Sequence, residues 1–216
     1  EDKDLAEVER IPAIKERIEA VRATRLVSPK QATVQIADKA YRFGEVRQTG
    51  KEICMVVPRV SSETRDYLPC GYLPAESIIA DAAFALYDAP LWNMALIASR
   101  LHLVWIATVC GKLKTDFRYS NTLGWNTFPV PPLTAQNKAD LTECAENILL
   151  AREVHFPASI ADLYKPSAMP ENLRHAHERN DEIIERIYIG RRFKNDSERL
   201  EKLFALYSEM TTGKKE

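Results

Sequence analysis

The stretch Ala89–Cys110, APLWNMALIASRLHLVWIATVC, constrains this chain more than any other part of it. A helix that spans a bilayer needs about 20 apolar residues, and this run has the length. Arg100 and His102 sit at its middle, however, where charge is costly in lipid. The run therefore predicts a helix buried inside a folded domain. Asp88 is placed to cap it, Pro90 falls in its first turn and Gly111 lies just past its end. A helix apolar on all sides needs partners all round, so the rest of the chain must supply them.

The flanking sequence divides by character. Residues 4–26 carry Leu5, Val8, Ile11, Ile14, Ile18 and Val21 at near-helical spacing, with Pro12 expected to split off a short lead and Ser28-Pro29 to end the helix. Residues 32–87 change register. ATVQIADKAYRFGEV and EICMVVPRV are rich in β-branched and aromatic residues, Gly44 and Gly50 supply turns, and DYLPCGYLP reads as proline-broken extended chain. ESIIADAAFALYDA fits strand and helix equally. KLKTDFRYS reads as one strand, and FPVPP closes the region as a stiff linker. From Thr134 the pattern is helical: Leu141, Ala145, Ile148 and Leu149 trace one face, and Glu171–Ile189 forms another helix. Asn195–Glu198 resembles a capping box, ahead of Leu200, Leu203, Phe204 and Tyr207 at i, i+3, i+4 and i+7. The expected fold class is α+β, a mixed α/β domain followed by an all-α domain. The expected divisions are 1–30, 31–133 and 134–216.

Of 216 residues, 45% are hydrophobic and 28% charged, which argues for a folded protein. Cys54, Cys70, Cys110 and Cys144 form no C-x-x-C pair, so free and mostly buried thiols in a reducing cytoplasm are expected. The sequence opens on Glu1 without Met, the pattern expected of a piece of a longer protein.

The formal net charge of −1 conceals a local imbalance. Between Ala89 and Ala139 the bases are Arg100, Lys112, Lys114, Arg118 and Lys138 against the single acid Asp116, so five minus one leaves +4. Read as one strand, KLKTDFRYS places Lys112, Lys114, Asp116 and Arg118 on one side and Leu113, Thr115 and Phe117 on the other. Long cations in alternation can track phosphates or reach guanine edges, and an aspartate among them can accept from a cytosine amine. The same pattern also suits an edge strand guarded by charge against aggregation.

Elsewhere the chemistry is sparse. Arg59, Ser61, Ser62 and Arg65 in PRVSSETR could donate to phosphates at a strand end, or form an ordinary turn. Ser99, His102 and Trp105 fit a hydrogen-bonded core histidine better than a catalytic one. His175 and His177 do not share a helix face, so a metal site there is not expected. There is no Gly-rich phosphate loop or nucleophile elbow. Val130–Leu133 lacks the flanking polar and aromatic residues with which an adenine methyltransferase motif holds a flipped base. The residues describe a binder without chemistry of its own.

Two blocks carry a resemblance: PRVSSETRDYLPCGYL, and SRLHLVWIATVCGKLKTDFRYSNTLGWNTFPVPP. Both resemble the target-recognition domain of MmeI-like (type IIG/IIL) restriction–modification enzymes. IADLYKPSAMPENLRHAHERNDEIIERIY resembles the helical C-terminal domain of the same family. The resemblance implies that residues 31–133 form a DNA target-recognition domain, that 134–216 form the C-terminal helical domain, and that 1–30 link to an upstream methyltransferase domain. It implies that Lys114 and Asp116, with Arg118 beside them, read base edges in the major groove, and that a second reading position lies near Asp81. Lys112, Arg59 and Ser120 would then hold the DNA backbone, and Ser61 and Ser62 belong to the matching Pro-Arg-Val-Ser-Ser block. The implied partners are double-stranded DNA and the upstream methyltransferase domain, with no membrane. The implied parent is an adenine-N6 methyltransferase using S-adenosylmethionine, with magnesium if it also cleaves. This stretch itself would neither bind the cofactor nor catalyse. A rival reading is a non-catalytic scaffold domain bracing a larger enzyme.

Overall fold

The computed structural model describes residues 4–213. Residues 1–3 and 214–216, the outer ends of the first and last expected divisions, lie outside the described residues. The chain forms two compact units, 1–48 and 49–216.

In the first unit, α1 (Leu5–Val8) and α2 (Pro12–Leu26) follow the expected break, with Pro12 opening the longer helix. The apolar stripe of α2 buries no residue. Residues 32–46 were expected to be β-rich and are not. They form α3 (Gln31–Val34) and a 3-10 turn over Ala37–Lys39. The reason is visible in the packing. Ala37 and Ala40 are buried at i, i+3, a helical spacing. The Arg25 guanidinium donates to the carbonyls of Ile36 (3.0 Å), Lys39 (2.8 Å) and Arg42 (2.8 Å), so those acceptors are satisfied without a neighbouring strand.

The second unit holds two small antiparallel sheets. In the first, β1 (Cys54–Pro58) lies between β3 (Gly71–Leu73) and β4 (Ala83–Tyr87). Pairing with β1, Val57 opposite Phe84, resolves the ambiguous ESIIADAAFALYDA in favour of a strand over its second half. One residue past β1, the chain enters β2 (Val60–Ser61) of the second sheet, which runs in the order β2-β6-β5, with β5 at Gly111–Leu113 and β6 at Asp116–Arg118.

The apolar run is buried as expected, but as two helices, α4 (Trp92–Ile97) and α5 (Arg100–Val109). Asp88 does not cap it: Leu91 occupies the N-cap of α4. Ser99 breaks the run instead. Its hydroxyl donates to the Leu96 carbonyl (2.7 Å) and accepts from the His102 amide (3.1 Å), which caps α5.

The helical part comprises α6 (Ala135–Glu153), α7 (Ile160–Leu163), α8 (Glu171–Ile189) and α9 (Asp196–Thr212). Thr134 and Asn137 form a reciprocal capping box that starts α6. Asn195 caps α9, while the Glu198 side chain turns to the Lys194 amide (2.6 Å) instead of closing the box. Met55, Leu68, Ile97, Trp105, Leu141, Ile148, Leu173, Ile184 and Leu203 belong to one continuous core. Among the described residues no helix is long and apolar enough to cross a membrane.

The break between α4 and α5 frees backbone groups that α8 takes up. Asn180 donates to the Ala95 carbonyl (2.8 Å), and His177 Nδ1 lies 3.2 Å from the Ala98 carbonyl. The Asp181 carboxylate accepts from the Arg100 amide (2.8 Å), at the N-terminus of α5, and from the Tyr67 hydroxyl (3.0 Å). Arg152 on α6 donates to the Cys70 carbonyl (2.6 Å) and to the Tyr164 hydroxyl (2.9 Å). The bonds to Tyr67 and Cys70 tie the chain leading into β3 to α8 and α6.

Candidate nucleic-acid interface

The segment read as a single strand is a hairpin. Lys114 and Thr115 form the tip, and Gly111, Lys112 and Leu113 pair with Arg118, Phe117 and Asp116. Reversing the chain at Lys114 changes which side chains share a face. Residues directly opposite in an antiparallel pair point the same way. Lys112 therefore joins Phe117, while Arg118 and Asp116 share the other face with Gly111 and Leu113. The expected row of Lys112, Lys114, Asp116 and Arg118 on one side does not exist. Period-two counting fails where a turn interrupts it.

The inner face is anchored by aromatic residues. Phe117 and Tyr119 are buried, and the Tyr119 hydroxyl lies 3.1 Å from His102 Nε2. His102 also meets the edges of Phe128 and Trp125, with centroids at 4.6 and 5.9 Å. Burial lowers the His102 pKa to about 3, so the ring is neutral and acts as the core histidine that its spacing suggested. Beyond the strand, Ser120 caps a single π-helical turn, Asn121–Trp125, accepting from the Leu123 amide at 3.4 Å. Gly124 is closely packed here: a Cβ would lie 3.2 Å from both Cys110 Sγ and Ile106 and 3.3 Å from Tyr119, so those side chains would have to give by a few tenths of an ångström.

The outer face of the β2-β6-β5 sheet is open. Val60, paired with Arg118, and Leu113, paired with Asp116, are exposed apolar residues beside two polar ones. Lys114, Asp116 and Arg118 make no side-chain hydrogen bond or ion pair to any described residue. Lys114 adopts φ 57, a conformation that favours glycine.

The remaining candidates are spread over other surfaces. Lys112 pairs with Glu63 (3.1 Å) and lies over the Phe117 ring. Arg59 lies over the Phe84 ring, donates to the Asp81 backbone carbonyl (3.0 Å) and forms an ion pair with the Asp81 carboxylate. The Arg59 carbonyl accepts from the Tyr119 amide (2.8 Å), so the Arg59–Asp81 pair borders the same strand as Arg118. Ser62 bonds the Thr64 hydroxyl (3.0 Å), and Ser120 bonds that of Thr122 (3.1 Å). Ser61 is only 3% exposed and sits opposite Phe117, so its side chain lies on the inner side of the sheet. Other members of the +4 region are also engaged: Arg100 pairs with Asp196 (2.6 Å), and Lys138 lies over the Trp92 ring. Sequence reasoning passed over Val60, Leu113 and Gly111, whose place beside Arg118 and Asp116 comes from strand register alone. Among the described residues, no cluster of three or more metal-ligating side chains occurs.

The β2-β6-β5 sheet thus offers polar side chains without partners among the described residues on one face, with aromatic anchors beneath. Comparison with known proteins names the family. Residues 1–132 match the MmeI target recognition domain, and residues 133–214 match the MmeI C-terminal domain. The chain belongs to this family. It is 40% identical over 200 residues to DNA methyltransferase A of Bacillus subtilis (strain 168), covering 93% of this chain and 22% of that protein. It is also similar to the type IIL restriction–modification enzyme MmeI, solved in complex with DNA, with a TM-score of 0.87 and 30% identity over 97% of this chain and 28% of that one. The chain thus spans less than a third of the length of either relative.

Proposed function

We propose that this chain is the DNA-specificity module of a restriction–modification adenine-N6 methyltransferase. The observation that carries the reading is the unpartnered pair Asp116 and Arg118 on an anchored hairpin, in a chain of the MmeI target-recognition family. A two-stranded ribbon fits the major groove, where a guanidinium pairs with guanine O6 and N7 and a carboxylate accepts from a cytosine amine. Arg118 and Asp116 take these roles, and Lys114 reaches from the tip. Asp81, held by Arg59, is the second reading position. Lys112, Arg59, Ser120 and Ser62 bind phosphates at the margins; Lys112 exchanges its exposed contact with Glu63 for one with DNA. An exposed ion pair is worth about 0–1 kcal/mol, so the exchange costs little. Ser61 supports the strand from below.

In this reading residues 31–133 recognise DNA, 134–216 brace them, and 1–30 lead from an upstream methyltransferase domain. That domain carries the S-adenosylmethionine site and the catalysis. Magnesium enters only where the parent also cleaves. The scaffold reading retains one specific support: Ile11 at the N-cap of α2, and Val21 and Leu26 on that helix, are 40–54% exposed, an apolar set suited to docking another domain. We assign that role to the first unit.

The test is methylation-site sequencing of the full-length parent carrying Arg118→Ala or Asp116→Ala. Each variant should accept additional bases at one position. An unchanged recognition sequence at an unchanged rate overturns the assignment. Binding to DNA should also fall steeply with salt.

A further inference from the structure

On the reading face, two residues mismatch their backbone in opposite directions. Lys114 occupies φ 57, where glycine would be easier. Gly111, at the start of β5, has no left-handed φ, and a Cβ added there would meet no atom within 4 Å. It does not act as a left-handed helix stop either, because the cap of α5 is Cys110 in an extended conformation. Neither backbone conformation nor packing among the described residues requires glycine at 111. A glycine that the fold itself does not use leaves room for a ligand or another backbone to come close.

The register says what lies next to it. Gly111 is directly opposite Arg118 and on the same face as Leu113 and Asp116. Opposed residues in such a pair carry their Cβ atoms about 5 Å apart. Any side chain at 111 would stand beside the Arg118 guanidinium and hold the ribbon away from a surface it approaches. We propose that Gly111 is a clearance position at which the hairpin backbone seats against the floor of the DNA major groove, bringing Arg118 within reach of base edges. The inference rests on the DNA-reading function above and extends it to a residue with no side chain.

The experiment uses the full-length parent with Gly111→Ala, Gly111→Val and Gly111→Leu. Three quantities are measured: the thermal midpoint, the affinity for a duplex holding the parent's recognition sequence, and the methylation rate on it. Because φ is permissive and the space is open, the midpoint should hold or rise. Affinity should fall with side-chain size, at least tenfold for Leu. A Leu variant that binds the duplex with wild-type affinity overturns the proposal. That includes the case in which methylation alone is lost, which would make the approaching surface a protein. A fall in midpoint through the series also overturns it, because the glycine would then have an internal role. If Gly111→Leu loses affinity while Arg118→Ala keeps the original recognition sequence, the seat stands and the base-reading assignment falls. The reverse pattern removes the seat alone.

Discussion

Asp116 on the hairpin and Asp181 on α8 are the same residue type in opposite circumstances. Asp181 is 4% exposed and accepts from a backbone amide and a tyrosine hydroxyl. Asp116 has no side-chain partner among the described residues. The arginines repeat the contrast: Arg152 is buried and spends its donors on Cys70 and Tyr164, while Arg118 is exposed and spends none. A buried charge must be fully paired or the fold suffers. An exposed unpaired charge on a rigid strand costs the fold little and stays available to a ligand. Polar groups buried on α6 and α8 therefore hold the molecule together, and those on the hairpin are left unspent by the fold.

The largest effect that could break this contrast comes from the buried set. Arg152→Met leaves two buried acceptors without their donor and should cost about 2–4 kcal/mol of stability, read by chemical denaturation, with the base preference of the surviving folded enzyme intact. On the hairpin the signs exchange. Arg118→Ala should change stability by less than about 0.5 kcal/mol, yet lose about 1–3 kcal/mol of discrimination at one base position, measured by competition between cognate and singly substituted duplexes. A third prediction uses pH. Burial pushes the Asp181 carboxyl up to about 7, against the two hydrogen bonds that oppose the shift. Between its ordinary value and 7 the folded state binds the proton that the unfolded state has released. The group therefore favours folding on the acid side, and that contribution is lost as pH rises through about 7. Wild type should lose about 1 kcal/mol relative to Asp181→Asn between pH 6 and 8. The smallest effect is expected for Lys114→Gly. Relief of the positive φ should hold or raise stability by up to about 1 kcal/mol, while the slope of DNA affinity against salt should fall by about one.

The parts legible in the sequence were those governed by local pattern. The Pro12 break, the helices from Thr134 on, the Asn195 cap and the α9 positions Leu203, Phe204 and Tyr207, the last two of which pack tilted against Trp105, all follow from spacing and capping chemistry. Three features did not, each because a distant partner decides them. Residues 32–46 have β-like composition, but the Arg25 guanidinium takes their carbonyls. The apolar run breaks at Ser99 because α8 arrives with acceptors and donors for the freed backbone groups. The KLKTDFRYS stretch turns at Lys114, a residue whose type gives no turn signal, and that single reversal reassigns Lys112 to the inner face. The candidate residues Asp116 and Arg118 were legible as types. Their shared face with Gly111, Leu113 and Val60 was not.

The central claim is that the outer face of the hairpin reads bases, and one substitution tests it most directly. Asp116→Lys exchanges an acceptor for a donor at a half-exposed, unpartnered position while leaving the core untouched. The full-length parent carrying it should methylate a sequence altered at one base pair, with guanine favoured where the carboxylate accepted from cytosine, and unchanged at the others. A folded Asp116→Lys enzyme that methylates the wild-type sequence at the wild-type rate would contradict the account.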